Sequence, residues 1–138
     1  CNRQEFLSIL PEDTAADSDA AAIGRHAADL VATGISIVIV TMGPHDFLVA
    51  TEDGTWSVTV PRVAVVNATG SGDTFFAAFL ATAQRGGRFA EALAAAAAGG
   101  ALSASRLEPG LAPGADLAPL AAQVSFSLVA ADDAVIVQ

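Results

Sequence analysis

The sequence predicts a mixed α/β fold, and three features carry that prediction. A helix-periodic segment ends on a glycine, a β-branched run apolar at nearly every position follows it, and further on a glycine turn opens into a second apolar helix. The 138-residue chain is 53% hydrophobic and 15% charged, far from the polar composition that keeps a chain disordered, and its length predicts one domain with its own core.

Taken in order, residues 3–10 form a short amphipathic piece that stops at Pro11, and residues 11–17 read as an acidic loop. From Asp19 onward Ile23, Ala27, Leu30 and Val31 recur at helical spacing; Asp17 or Ser18 can cap this helix, and Gly34 supplies the left-handed stop. Residues 35–42 (ISIVIVTM) suit a central strand covered on both faces. Residues 47–51, the turn Glu52-Asp53-Gly54 and residues 55–60, where Trp56, Val58 and Val60 alternate, read as a hairpin with one wetter face, broken by Pro61.

Residues 62–66 are expected as a strand leading into residues 67–74 (NATGSGDT). After that turn Phe75, Phe76, Phe79, Leu80 and Ala83 share one helical face, which reads most simply as core. A second helix over residues 88–105 is so small along residues 94–101 that another element must approach it closely. A glycine- and proline-rich loop (108–114), a short helix (117–124) and two weak strands (126–130 and 134–137) complete the chain, with no internal repeat.

Six basic residues against fifteen acidic ones leave a formal charge of −9, so the averaged field repels nucleic-acid backbones and anionic membrane surfaces. A small anion such as a nucleotide stays possible, because local backbone amides and a metal ion can override a distant, screened field. Cys1 is the one cysteine, which excludes an intrachain disulfide and makes the cytoplasm the expected compartment. The alanine-rich stretch from 89 to 107 carries Glu91, Arg106 and two glycines, and reads as a packed helix instead of a membrane span. No Cys or His spacing suits zinc.

The chemistry concentrates in Gly70, Ser71, Gly72 and Asp73. A helix start leaves backbone N–H groups without partners and carries the positive end of the helix dipole, and glycines let that backbone come close to a phosphate. This is no Walker loop, since G-x-x-x-x-G-K-[ST] is absent and all six basic residues are arginine. A carboxylate in the mouth of an anion site repels phosphate unless it has a task of its own, and taking the proton of an attacking hydroxyl is such a task. The same residues also suit a plain structural cap, because acidic side chains in the first helical turn are common dipole partners.

Three segments then resemble one family. VNATGSGDTFFAAFL resembles the second signature, D-T-x-G-A-G-D, of the PfkB carbohydrate kinases of ribokinase type; Asn2-Arg3-Gln4-Glu5 fits their N-x-x-E motif; and VIVTMGPHD resembles their nucleotide-facing strand and turn. The order and separation match the C-terminal half of such a kinase, and the resemblance implies the C-terminal part of a ribokinase-like three-layer α/β/α sandwich. It further implies Asp73 as catalytic base, Gly70, Ser71 and Gly72 as anion hole, and Thr41, Gly43 and Thr69 as nucleotide contacts. Asn2 and Glu5 would organise magnesium through water, with ATP as phosphoryl donor and a sugar or sugar phosphate as acceptor. The alanine-rich helix and the loop from 106 to 110 resemble the wall of the adenine pocket.

Two departures refine the resemblance. Asn67 replaces the first aspartate of the signature, which many members use in a monovalent-cation site, and residues 96–100 offer only alanine and glycine where ribokinase-like members tend to place an asparagine. Both fit the branch of 1-phosphofructokinases and tagatose-6-phosphate kinases. The N-terminal sugar-binding half and lid of the family are expected to be missing, so the sheet should show an open strand edge that a partner polypeptide or a homo-oligomer could cover. His26 reads as a surface histidine, and His45 as a solvated turn residue beside the nucleotide-facing strand.

Overall fold

Helices and strands both form, in runs of two helices, three strands, three helices and a final strand among the described residues. The computed structural model describes residues 1–11 and 19–129. Its elements run α1 (Arg3–Ser8), α2 (Ala20–Ala32), β1 (Ile37–Met42), β2 (His45–Thr51), β3 (Gly54–Val58), α3 (Ser71–Gln84), α4 (Phe89–Ala104), α5 (Ala118–Ala121) and β4 (Phe126–Leu128). They fall into two units, one comprising the described residues up to Val58 together with those from Phe126 on, the other Thr59–Ser125.

In the first unit, β1 to β4 form an antiparallel sheet in sequence order. The β2–β3 hairpin closes with Thr51 opposite Gly54, whose φ of 135° only glycine adopts without strain. α2 starts where Asp19 Oδ1 accepts the Ala22 amide at 2.7 Å, so Asp19 itself is the cap; Asp17, Ser18 and the rest of residues 12–18 lie outside the described residues. It ends at Thr33, with Gly34 at φ 108° just beyond, as expected. Ile23 and Ala27 of α2 and Phe6 of α1 pack on Val38 and Val40 of β1 and Leu48 and Ala50 of β2, which makes the core of this unit.

Among the described residues β1, expected as a central strand covered on both faces, has a strand partner on one side only, β2. It begins at Ile37 and stands at the end of the sheet order; Val38 and Val40 are buried, whereas Ile37 on the opposite face is 41% exposed. Its outer edge carries the parallel bridge between Asn2 and Thr41, and Ile39 O accepts the Cys1 amino group at 3.1 Å. β3 likewise ends at Val58, short of the expected 60. There Thr59 turns away to exchange hydrogen bonds with Ser125, donating its amide to Ser125 O (3.0 Å) and accepting the Ser125 amide on Oγ1 (2.7 Å). Of the two late strands, the first forms as β4 and the one expected over 134–137 lies outside the described residues.

The second unit is governed by α4, whose Ala96, Ala97, Ala98, Gly99 and Ala101 are buried. A Cβ built on Gly99 would lie 3.0 Å from Ala78 Cβ, and one on Gly100 would lie 3.3 Å from Ser71 O, so α3 rests almost on the backbone of α4. That contact selects the small face of α3. Thr74 and Ala78 are buried, and the expected phenylalanine face is only partly covered: Phe75 is half-buried against Gly100, whereas Phe76 is 58% and Leu80 41% exposed. Phe79 is partly sheltered by an edge-on contact with Phe89, their ring centroids 6.0 Å apart.

The expected strand over 62–66 does not form. Val66 N and Asn67 N both donate to Ala104 O (2.8 and 3.0 Å), so the segment hangs on the C-terminus of α4 instead of joining a ladder. α5 is also shorter than the predicted 117–124, because Gln123 N and Val124 N bond three residues back, to Leu120 O and Ala121 O, and tighten the chain out of α-helix.

Two outcomes follow from this packing. Gly99→Val should cost about 1–3 kcal/mol in denaturant unfolding, since its side chain has no room against Ala78. At the start of α4 the Glu91 carboxylate accepts the Arg88 amide (2.9 Å) and pairs with its guanidinium (2.7 Å), and the backbone bond first, then the side-chain bond and the charge, hold it below the usual carboxylate range. A folded-state pKa below the unfolded one stabilises above the unfolded value and is lost as pH falls through the folded one. Glu91→Gln should therefore melt below wild type at neutral pH, and the gap should close in acid.

Candidate functional site

The glycine turn joins the segment that is hydrogen-bonded to Ala104 O, at the end of α4, to the start of α3. Gly70 sits at φ 74°, ψ 1°, and a Cβ on it would meet Pro109 Cβ at 3.0 Å, so both its backbone angles and its surroundings demand glycine. Ser71 N donates to Ala68 O (3.2 Å) and Thr74 N to Gly70 O (2.9 Å). Between them, the amides of Gly72 and Asp73 have no hydrogen-bond partner among the described residues, and no side chain caps α3. These two N–H groups therefore stand open at the positive end of a 14-residue helix. Gly72 differs from Gly70: it has ordinary helical geometry, and nothing lies within 4 Å of where its Cβ would be.

Asp73 is exposed, and among the described residues no hydrogen bond or ion pair engages its carboxylate. The hydroxyls beside it serve the turn: Ser71 Oγ donates to Ala68 O (2.8 Å) and Thr74 Oγ1 to Gly70 O (2.8 Å). Thr69 is exposed and gives its amide to Asn67 Oδ1 (3.0 Å). Asn67 Nδ2 in turn donates to Leu107 O (3.0 Å), and Gly110 N donates to Ser103 Oγ (2.9 Å), a hydroxyl buried in α4. The turn and the loop over 105–110 are thus one hydrogen-bonded assembly.

Sequence reasoning reached the loop from 106 to 110 by resemblance but not the contacts that Leu107, Pro109 and Ser103 make with the turn and with that loop. A lone serine in the alanine face of α4 was the one signal available; a backbone carbonyl and a proline on a loop leave none. The unit thus brings Thr69, Gly70, Ser71, Gly72 and Asp73 together.

In the first unit Asn2 and Glu5 form a capping box, Asn2 Oδ1 accepting the Glu5 amide (2.9 Å) and Glu5 Oε2 accepting the Asn2 amide (2.8 Å). The N-x-x-E spacing thus has a structural duty, which occupies one carboxylate oxygen of Glu5 and leaves the other outside the cap. Cys1 O accepts from Thr41 N (3.0 Å), and Asn2 bridges to Thr41, so these residues meet at the end of β1. Gly43, at φ 66°, is exposed in the β1–β2 turn, next to exposed His45. His26 lies 3.7 Å from Asp29 on α2. Among the described residues no group of three His, Cys, Asp or Glu could hold a metal directly, and no helix is long and apolar enough to cross a membrane.

The family model for pfkB carbohydrate kinases matches residues 1–113. The chain belongs to that family. Among solved structures, phosphofructokinase-2 of Escherichia coli, in complex with potassium, superimposes at a TM-score of 0.76 and 19% identity, covering 88% of this chain and 38% of its own. Ribokinase of Thermotoga maritima gives 0.68 and 24%, covering 78% and 35%. A provisionally assigned ribokinase II of Escherichia coli, in complex with ATP and Mg2+, gives 0.65 and 30%, covering 78% and 32%. The chain spans 32% to 40% of the length of such structures. Comparison with curated proteins returned no match.

The expected α/β class, with a ribokinase-like fold, holds for this pfkB chain. The two glycines of its turn should separate under mutation. Gly70→Ala should destabilise by roughly 1–2 kcal/mol through its left-handed backbone, whereas Gly72→Ala should be neutral or stabilise by about 0.5–1 kcal/mol, as glycine replacement within a helix does. Chemical denaturation of both variants checks the contrast.

Proposed function

We propose that this pfkB chain carries the phosphate-binding and proton-accepting side of an ATP-dependent phosphoryl transfer to a hydroxyl of a sugar or sugar phosphate. The observation that carries the reading is the start of α3: two open amides, an unobstructed approach over Gly72, and a carboxylate on the adjacent residue that has no partner among the described residues. Asp73 accepts the proton of the attacking hydroxyl as its oxygen bonds to phosphorus and the bond to the leaving phosphate oxygen breaks. The amides of the turn formed by Gly70, Ser71 and Gly72, chiefly those of Gly72 and Asp73, hold the charge that gathers on the transferred oxygens.

Thr41, Gly43 and Thr69 are assigned to the nucleotide. Asn2 and Glu5 are assigned to magnesium through water, which fits a donor set that keeps only one Glu5 oxygen outside its cap. Magnesium bound there would neutralise phosphate charge. The structure of a 30%-identical protein with ATP and Mg2+ supports this choice of donor and metal. Asn67 in place of aspartate, and the alanine and glycine of residues 96–100, favour a sugar-phosphate acceptor of the 1-phosphofructokinase or tagatose-6-phosphate kinase kind.

An exposed Asp73 favours a second reading, in which this chain alone binds nucleotide without turning over, because a base open to water lacks the enclosure phosphoryl transfer needs. Titration calorimetry with MgATP tests both. Binding by the wild-type chain, weakened tenfold or more in Gly72→Val at unchanged stability and nearly intact in Asp73→Asn, is the expected pattern; a folded chain blind to MgATP ends the nucleotide assignment. In a longer polypeptide that includes the sugar-binding half, Asp73→Asn should lower kcat by about 10²–10⁴-fold. Equal turnover would remove Asp73 from the chemistry, and transfer by this chain alone would remove the silent reading.

A further inference from the structure

Asn67 makes two hydrogen bonds of opposite sense with one carboxamide. Its Oδ1 accepts from Thr69 N at 3.0 Å, and its Nδ2 donates to Leu107 O at 3.0 Å. Thr69 N can only donate and Leu107 O can only accept, so the amide has a single orientation that satisfies both. An aspartate at this position would keep the first bond and press a carboxylate oxygen against a carbonyl oxygen. Leu107 O, forty residues away in sequence, therefore favours asparagine over aspartate at position 67.

The rest of the assembly makes this bond matter. Residue 67 is held from behind by the shared acceptor Ala104 O, at the end of α4. The loop carrying Leu107 is fixed beyond it by Gly110 N on buried Ser103 Oγ, and between these points Pro109 lies against Gly70, with 3.0 Å from its Cβ to the Cβ position of that glycine. Asn67 is the one side chain that ties the glycine turn to this loop by a hydrogen bond among the described residues. Three residues after it comes the left-handed Gly70, which aims the open amides of Gly72 and Asp73.

We infer that Asn67 is a positioning residue: its carboxamide couples the loop over 105–110 to the glycine turn and so fixes the direction of the Gly72 and Asp73 amides. The inference rests on the nucleotide reading for its consequence and on the Asn67 geometry for its cause, and two measurements keep these apart. Asn67→Ala removes both bonds; Asn67→Ser keeps an acceptor near Thr69 N but cannot reach Leu107. Amide hydrogen exchange should quicken at least tenfold over residues 67–73 in both variants and stay unchanged in α2 and the body of α4, with the melting temperature within a few degrees of wild type. MgADP affinity by calorimetry should fall about tenfold in both, the equivalent of one lost hydrogen bond.

Wild-type exchange over 67–73 in the variants would overturn the inference. So would a uniform rise across α3 and α4 with a large drop in melting temperature, which marks plain structural support, or unchanged MgADP affinity despite local loosening. If the wild-type chain does not bind MgADP, the kinase reading fails on its own, and the exchange data alone decide whether Asn67 holds the turn.

Discussion

The close contact of α3 with α4 is the constraint on which the second unit depends. Gly99 and Gly100 bring the α4 backbone to within van der Waals distance of Ala78, Thr74 and Ser71, and dispersion between surfaces so close is lost steeply with even small separation. This fixes the rotation of α3 about its axis, and with it the place where the helix begins. The glycine turn is the short path left between a segment hung on Ala104 O and a helix start pinned at Ser71.

From that constraint the electrostatics follow. A side-chain cap at the start of α3 would have satisfied its first amides; Gly70 supplies none, and the hydroxyls of Ser71 and Thr74 are turned back onto Ala68 O and Gly70 O. What remains is a dipole end with open, solvent-exposed donors and a carboxylate beside them. By contrast, the start of α1 is closed by its own capping box and that of α4 by Glu91, so the three helix starts serve different ends.

Charge at the level of the whole chain says little about this site. A formal charge of −9 argues against polyanionic partners, yet the open donors at Gly72 and Asp73 are backbone groups that no count of side chains registers. The same holds for Asn67, whose neutral carboxamide bridges two segments without adding a charge to either.

Local pattern was enough to find the helices, the hairpin and the T-G-S-G-D turn, since periodicity, capping chemistry and glycine angles act over a few residues. The family was legible for the same reason: its motifs are contiguous. What the chain could not show in one dimension was which apolar face goes inside. Phe75, Phe76 and Phe79 outweigh Thr74 and Ala78 in hydrophobicity, yet Thr74 and Ala78 are the buried pair facing α4, Phe75 meets it at Gly100, and Phe76 is left outside. The β-branched run of β1 looks central because burial on two faces and on one leave the same residues, and only strand pairing put it at the end of the order. Likewise the carbonyl that Asn67 Nδ2 bonds lies forty positions on, and sequence spacing holds no record of where a folded chain returns to itself.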